Sequence, residues 1–518
     1  MIATSSSFDL EAKVRQDCSQ GSPSAPAGVT ERQFRALFAF CIVAAAALLI
    51  ASIGESLWAR HELTQVESIV ALHATMFANG GGLYHDWRHY PFTVAAYGPI
   101  FYTVLAGMYR LGMPLFLGCR LISIAALLAE FWLAWRILGF LISNQYARVT
   151  GLLLAVSAFN LLTWGTVGQT DTLSCCFSLA AFWQFLNWRE HRNAPSLLAS
   201  GALVILAIFT KQTALAAGGT IAICMLVEDR KTAAQWIASV GIALLALVLG
   251  LNALTHGRYF DDAVLANMNP MHVAKLIKHV KFFLFGSAGV LVVMAAGLKF
   301  AVGRLAPLYV YTALAACLWL ATCPKAGSDT NYQIEIGILI ALCAACSLDR
   351  LWCFPKLFAG STATAVVLLF PLLLNGCVNL LVGGINISGR ISTELLQRVR
   401  EPQIAPFVKS VEGRILSVEF DPLMKFSGRI DVEPLIYVLL VKAGRIDPAP
   451  VLEDLEARRF SALILFRNVF AAPARWEGDE TLCLTDTQMD AVRRNYRLVK
   501  HVKGPYLDGD YIYEPRRD

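Results

Sequence analysis

Apolar runs separated by short polar stretches fill the chain from Phe34 to about Val382, and the pattern then stops. The first run covers roughly 34–53. Others fall near 99–117, 118–138, 149–165, 171–187, 195–210, 214–227, 233–254, 283–298, 306–321, 334–348 and 357–382. Runs of this kind predict helices crossing a hydrocarbon core about 30 Å thick. Those shorter than roughly 20 residues predict tilt, local thinning or partial insertion. Between the first two runs, 64–79 reads as an amphipathic helix, with Val66, Ile69, Val70, His73, Met76 and Phe77 on its apolar stripe. Glu67, Ala71, Ala74 and Ala78 follow one flank, a row of small side chains headed by a carboxylate, and Gly80-Gly81-Gly82 ends the helix.

Past 385 the chain turns polar. Arg414–Phe420, Ser461–Phe466 and Tyr511–Tyr513 read as strands, and Val432–Ala443, Ala449–Arg459 and Thr485–Tyr496 as helices. The last opens on Thr485-x-x-Gln488, a capping box. The fold class expected is an α-helical polytopic membrane protein of about eleven transmembrane helices plus juxtamembrane helices, with a C-terminal soluble α/β domain. Its parts are a disordered tail at 1–33, a transmembrane domain at 34–384 with a first outer loop at 54–117, and the α/β domain at 385–518.

Charge sets the orientation. If the run at 99–117, which holds Arg110 and two prolines, lies along the outer face without crossing, the inner loops collect Arg136, Arg148, Arg189, Arg192, Arg230, Lys231, Lys299, Arg304, Arg350 and Lys356. The outer short loops then hold little beyond Arg120, Lys211 and Lys325. This reading places the N-terminus inside and the C-terminal domain outside. It also brings the loops around Glu67, Asp171, Lys211, Lys325 and Asn331 to one face.

Composition narrows the class. The 518 residues are 56% hydrophobic and 16% charged, with a net charge of +6; soluble proteins average about 25% charged residues. The basic residues are scattered as topology anchors, so no nucleic-acid surface is expected. Most of the thirteen cysteines lie inside apolar runs, which argues for packing and against a disulfide framework. Residues 1–33, rich in Ser, Ala, Pro and Gly, read as a tail rather than a cleaved signal peptide. No zinc-ligand spacing, Walker loop, nucleophile elbow or dinucleotide fingerprint occurs. His61, His73, His85 and His89 cluster around the 64–79 helix, only a thin basis for a metal site.

Each candidate residue has a structural explanation beside the chemical one. Glu67 completes a Thr64-x-x-Glu67 capping box. Asp171, in Gly168-Gln169-Thr170-Asp171-Thr172, can cap the apolar run that follows. Lys211 in Thr210-Lys211-Gln212-Thr213 must lie at a turn near the interface, as a snorkelling anchor or a contact for an anionic ligand. The segment Lys325 to Glu335 is polar between two spans, and Glu335 suits a helix N-terminus. Lys275, Lys278 and Lys281 share helical spacing and suit lipid headgroups.

Taken in order, these residues resemble the GT-C superfamily of membrane glycosyltransferases, in particular bacterial relatives of the protein O-mannosyltransferases and of the lipid A aminoarabinose transferase. The resemblance rests on Glu67 in the place of the first-loop acid, Gly81-Gly82-Leu83-Tyr84-His85-Asp86, Tyr97-Gly98-Pro99-Ile100-Phe101-Tyr102, Arg120-Leu121-Ile122-Ser123, Thr210-Lys211-Gln212-Thr213 and the stretch from Gly327 through Asn331 and Tyr332 to Glu335. Gln169 stands where many relatives carry an arginine. The resemblance implies transfer of a sugar from a polyprenyl-phosphate donor to a glycolipid, polysaccharide or protein acceptor at the periplasmic face of the inner (plasma) membrane. It implies Glu67 as the base and Asp171 as its partner, both facing one water-filled cavity. Arg88, Tyr97, Lys211, Lys325, Asn331, Tyr332 and Glu335 are then substrate-binding residues. No cofactor is specified, and a divalent metal remains open. The alternatives are a polytopic transporter or flippase and a non-catalytic scaffold. Glu130, the one clear mid-span charge, gives the transporter reading little support.

Overall fold

A computed structural model describes residues 31–353, 362–426, 430–466, 468–471, 484–504 and 509–517. The expected tail lies outside them except for its last three residues, which already belong to the first helix.

The helices are α1 (Glu31–Trp58), α2 (Gln65–Ala78), α3 (Pro99–Arg110), α4 (Leu115–Leu141), α5 (Gln145–Ser157), α6 (Phe159–Trp164), α7 (Thr170–His191), α8 (Ala194–Thr210), α9 (Ala216–Glu228) and α10 (Arg230–Leu254). After a short turn of helix at Arg258–Phe260 come α11 (Val273–Ala296), α12 (Ala306–Thr322), α13 (Ile334–Cys353) and α14 (Thr362–Ser410). Among the described residues, five helices are long and apolar enough to cross a membrane, in α1, α4, α10, α11 and α14, and three shorter apolar helices accompany them. The remaining expected spans are shorter or more polar. The run at 149–165 is divided at Ala158 into α5 and α6. At 12 residues α3 is about 18 Å long, too short to cross about 30 Å of hydrocarbon. Its Phe101, Tyr102, Leu105 and Ala106 are buried against α2 and α4. Helix α10 buries only Ala233 and Trp236 and leaves Ile242, Leu245, Leu249 and Leu254 exposed, as a helix facing lipid does.

Lys275, Lys278 and Lys281, which share helical spacing, form the first turns of α11. One expectation needs correcting. The boundary expected at 385 falls inside α14, which continues unbroken to Ser410.

Beyond α14 the chain builds a four-stranded sheet from β1 (Arg414–Ser417), β2 (Phe460–Leu465), β3 (Tyr496–Val502) and β4 (Asp510–Pro515), in the order β1-β2-β4-β3. The β1–β2 pair is parallel and the other two pairs are antiparallel. Helices α15 (Asp421–Phe426), α16 (Pro434–Lys442), α17 (Ala449–Glu456) and α18 (Asp486–Asn495) pack with it, and α18 starts with the expected Thr485–Gln488 capping box. The strand β3 was not legible, since its interior residues are exposed and carry no inward-facing apolar set. The first loop docks on this domain. Phe92 N–H donates to Asp431 O at 2.8 Å and Glu433 N–H to Phe92 O at 2.8 Å, while Trp87, Phe92 and Val94 join the apolar core of the domain.

Candidate active site

The expected capping box is not formed: Thr64 makes no side-chain cap, and Glu67 Oε2 accepts from Leu63 N–H at 2.7 Å, one residue before the cap. The other contacts of this carboxylate come from elsewhere in the fold. Arg120, on α4, donates from Nε to Oε1 at 3.0 Å and from Nη2 to Oε2 at 2.8 Å. Gly168 N–H donates to Oε1 at 2.7 Å. Both side chains are 0% exposed. Arg120 is held in turn by the carbonyls of Ser56 at 3.1 Å, Ala59 at 2.6 Å and His61. A buried ion pair persists only when its spare lone pairs and protons are satisfied, and here each oxygen of Glu67 has two donors. The small flank Ala71, Ala74 and Ala78 is filled by α3 and α4 of the same chain.

Gly168 makes this possible. A Cβ on it would lie 2.2 Å from Cys119 Cβ, so only glycine lets the loop before α7 approach α4 closely enough for its amide to reach Glu67. The next residue, Gln169, is the N-cap of α7 and exchanges hydrogen bonds with Ser123, whose Oγ is 3.3 Å from both its N and its O. Asp171 is therefore not the cap. It sits inside the first turn of α7, where the helix dipole favours a carboxylate.

Asp171 Oδ1 pairs with Lys211 Nζ, and Oδ2 accepts from Asn331 Nδ2 at 3.2 Å. Asn331 also donates to Gln169 Oε1 at 3.3 Å. Lys211 ends α8 as its C-cap and holds its ammonium 3.9 Å from the centre of the Tyr332 ring. Burial alone would lower its pKa, but the charge of Asp171 and the neighbouring Tyr332 outweigh that, and the value lies above that of an ordinary lysine. Glu335, in the first turn of α13, accepts from Tyr311 Oη at 2.5 Å. Asp171, Lys211, Asn331, Tyr332 and Glu335 together line a cavity of about 60 Å³, with Trp319 and Cys175 among its other walls. That is well below the roughly 300 Å³ of a formed small-molecule pocket.

Glu67 does not line this cavity, so the two acids do not share one chamber. They are joined through the loop at 165–171, which gives its Gly168 amide to Glu67 and presents Asp171 to the cavity. The other expected contacts divide likewise. Tyr97 is half-buried, within electrostatic reach of Tyr332 and Asp171, and its carbonyl accepts from Tyr84 Oη at 2.9 Å. Gly98 beside it packs against the end of α8, where a Cβ would meet Phe209 O at 1.9 Å. Arg88 lies apart from the cavity, bonded to Asp261 at 2.9 Å and Asp86 at 3.4 Å and stacked 4.5 Å over Trp87. Lys325 is half-buried beside Met271 and outside the cavity lining. Sequence reasoning missed Tyr311 and the structural part played by Gln169. A tyrosine inside an apolar run was the available signal, since its hydroxyl must find a partner there. Of the four histidines, His73 and His85 stack with centroids 6.0 Å apart, while His61 instead bonds Glu394 and Glu401. Among the described residues no three His, Cys, Asp or Glu side chains stand as a ligand set.

Residues 96–255, which carry Gly98, Arg120, Asp171 and Lys211, match the family model described as dolichyl-phosphate-mannose-protein mannosyltransferase. In fold, the chain is similar to ArnT from Cupriavidus metallidurans bound to undecaprenyl phosphate, at 12% identity and a TM-score of 0.58 over 92% of this chain and 98% of that one. The apo form of ArnT gives 13% identity and 0.57 over the same shares. The arabinofuranosyltransferase AftD from Mycobacteria gives 15% identity and 0.52 over 96% of this chain and 41% of AftD. No curated protein sequence matches the chain. The chain has the fold of the GT-C membrane glycosyltransferases, as the order of its motifs implied.

Proposed function

We propose that this protein is a membrane glycosyltransferase that moves a sugar from a polyprenyl-phosphate donor to a glycolipid, polysaccharide or protein acceptor, by a single displacement that inverts the anomeric carbon. The observation that carries the reading is the buried Asp171–Lys211 pair on the wall of a cavity where Asn331, Tyr332 and Glu335 converge from another part of the chain. The fold it shares with ArnT supports a lipid-linked donor. The acceptor oxygen bonds to the anomeric carbon as the bond from that carbon to the phosphate oxygen breaks. The acceptor proton passes to a carboxylate, and the lipid phosphate leaves as a stable anion without a general acid. One carboxylate and one cation suffice, unlike the two-carboxylate arrangement of glycosidases.

The surroundings of the two acids favour the opposite order to the one expected. Asp171 faces the cavity, and each of its oxygens has a single side-chain donor. Glu67 is enclosed, with two donors on each oxygen. We assign Asp171 as the base and Glu67 as the residue that positions its loop. Lys211 then serves as the contact for the donor phosphate, and its move from Asp171 to the phosphate would free the carboxylate to accept a proton. The favoured setting is the inner membrane with the site on its periplasmic side, as the charge bias of the loops implies. Membranes containing the protein should transfer labelled sugar only when a polyprenyl-phosphate donor is supplied. Transfer from a nucleotide sugar alone, or none from any polyprenyl donor, overturns the reading.

A further inference from the structure

A second cavity, a groove of about 370 Å³, opens where the ends of α1 and α14 meet α15. Arg60, Arg398 and Lys409 line it together with Pro402, Ala405 and Phe426. Neither Arg60 nor Lys409 is in an ion pair among the described residues. Lys409 instead holds its ammonium 5.0 Å from the centre of the Phe426 ring. Arg398 bonds Glu394 at 2.7 Å and stacks 3.9 Å over Trp58. Glu401, the one carboxylate on the wall, is already engaged by His61 and by Lys425 at 3.5 Å. The groove is therefore a cationic site with two uncompensated charges.

Its position on α14 indicates what fills it. Residues 391, 395, 398, 402, 405 and 409 follow one another at alternating steps of four and three, which places them on a single stripe of the helix. The lower part of the stripe is apolar and exposed, Ile391 by 37% and Leu395 by 50%, and Leu57 and Trp58 of α1 are exposed as well. The upper part, from Arg398 to Lys409, is the groove wall. An exposed apolar stripe that ends in cations matches a molecule with a hydrocarbon chain below an anionic head.

We propose that this groove seats the phosphate headgroup of an anionic bilayer phospholipid, its acyl chain along Ile391 and Leu395, in the leaflet on the side of the C-terminal domain. The site is separate from the Asp171 cavity, with which it shares no lining residue. Bound there, the lipid braces the junction between the membrane helices and the sheet domain.

The test is retention of lipid by the full-length purified protein, read by native mass spectrometry after exchange into phosphatidylglycerol or phosphatidylcholine. Wild-type protein should retain phosphatidylglycerol preferentially. Each cation near a membrane surface contributes roughly a five-fold preference for an anionic lipid, so Arg60→Gln with Lys409→Gln should lower phosphatidylglycerol retention about 25-fold and leave phosphatidylcholine unchanged. If the double variant does not fold, Lys409→Gln alone, at an exposed position on the last turn of α14, should give about a five-fold loss. Unchanged retention in a folded variant overturns the proposal. So does displacement of the lipid by millimolar inorganic phosphate, which would mark a site for a free anion. Displacement by undecaprenyl phosphate at lower concentration than by phosphatidylglycerol would assign the groove to a polyprenyl lipid and also overturns it. The readout is independent of sugar transfer, so its failure leaves the catalytic reading untouched.

Discussion

Arg120 grips Glu67 through two parallel hydrogen bonds, 3.0 Å from Nε to Oε1 and 2.8 Å from Nη2 to Oε2, and neither side chain is exposed to solvent. The pair joins the first loop to α4, and the Gly168 amide bonded to the same carboxylate ties both to the loop that carries Asp171. Removing one partner leaves an uncompensated buried charge, at a cost of about 3–5 kcal/mol. Glu67→Gln should therefore lower thermal stability and membrane abundance, and Arg120→Met added to it should restore abundance in part. A folded, equally stable Glu67→Gln protein devoid of transfer would instead make Glu67 the base.

Asp171→Asn keeps the size of the side chain and its bond from Asn331 but cannot take a proton. Transfer should fall by about 10²–10⁴-fold, the usual contribution of general base catalysis, with abundance unchanged. Single-turnover transfer from a polyprenyl-phosphate sugar measures this. Activity within a few fold of wild type would remove Asp171 from the chemistry.

Lys211→Ala should raise the donor KM or lower kcat about ten-fold, the equivalent of about 1.4 kcal/mol for one charge-assisted contact. The variant also leaves the Asp171 carboxylate without its cation, so a Lys211→Arg control is needed to separate the loss of charge from the loss of shape. Full activity in Lys211→Ala would reduce the residue to an interfacial anchor.

Gly168→Ala forces a Cβ into Cys119, 2.2 Å away. Overpacking of this kind costs about 1–3 kcal/mol and should reduce both abundance and activity. Cys119→Gly in the same chain removes the clashing atom and should recover much of the loss. Failure of that rescue would show that the loop does not depend on this close approach.

Two acids clamp the first loop where it meets the C-terminal domain. Glu433 accepts from Val94 N–H at 3.2 Å and Asp262 from Ala95 N–H at 3.2 Å. Burial pushes both pKa values up to about 8. Unfolded carboxyls titrate near pH 4, so between about pH 4 and 8 the folded chain binds more protons and stability falls as pH rises. The thermal midpoint should decrease from pH 5 to pH 8, and Glu433→Gln with Asp262→Asn should flatten that slope. An equal slope in the double variant would show that these groups do not set it.

Periodicity alone determined that the chain is a bundle of apolar helices followed by an α/β domain, because burial in lipid or in a core imposes its pattern on local sequence. Thr485 and Gln488 announced the start of α18 for the same reason, since a capping box is complete within four residues. The charge bias of the loops already drew Asp171, Lys211 and Asn331 to one face, and the order of motifs that resembles the GT-C enzymes added Gly98 and the rest of the Asn331–Glu335 segment. What each carboxylate faces was decided by tertiary structure. Thr64-x-x-Glu67 could have been a local cap, but Arg120, 53 residues later, and Gly168, 101 residues later, claim the Glu67 carboxylate. Asp171 could have been a cap, but Gln169 takes that position and turns Asp171 toward Lys211 and Asn331. A carboxylate carries no local mark of which distant donors will reach it; only the folded chain brings those donors within hydrogen-bond distance and leaves one acid enclosed and the other at a cavity wall.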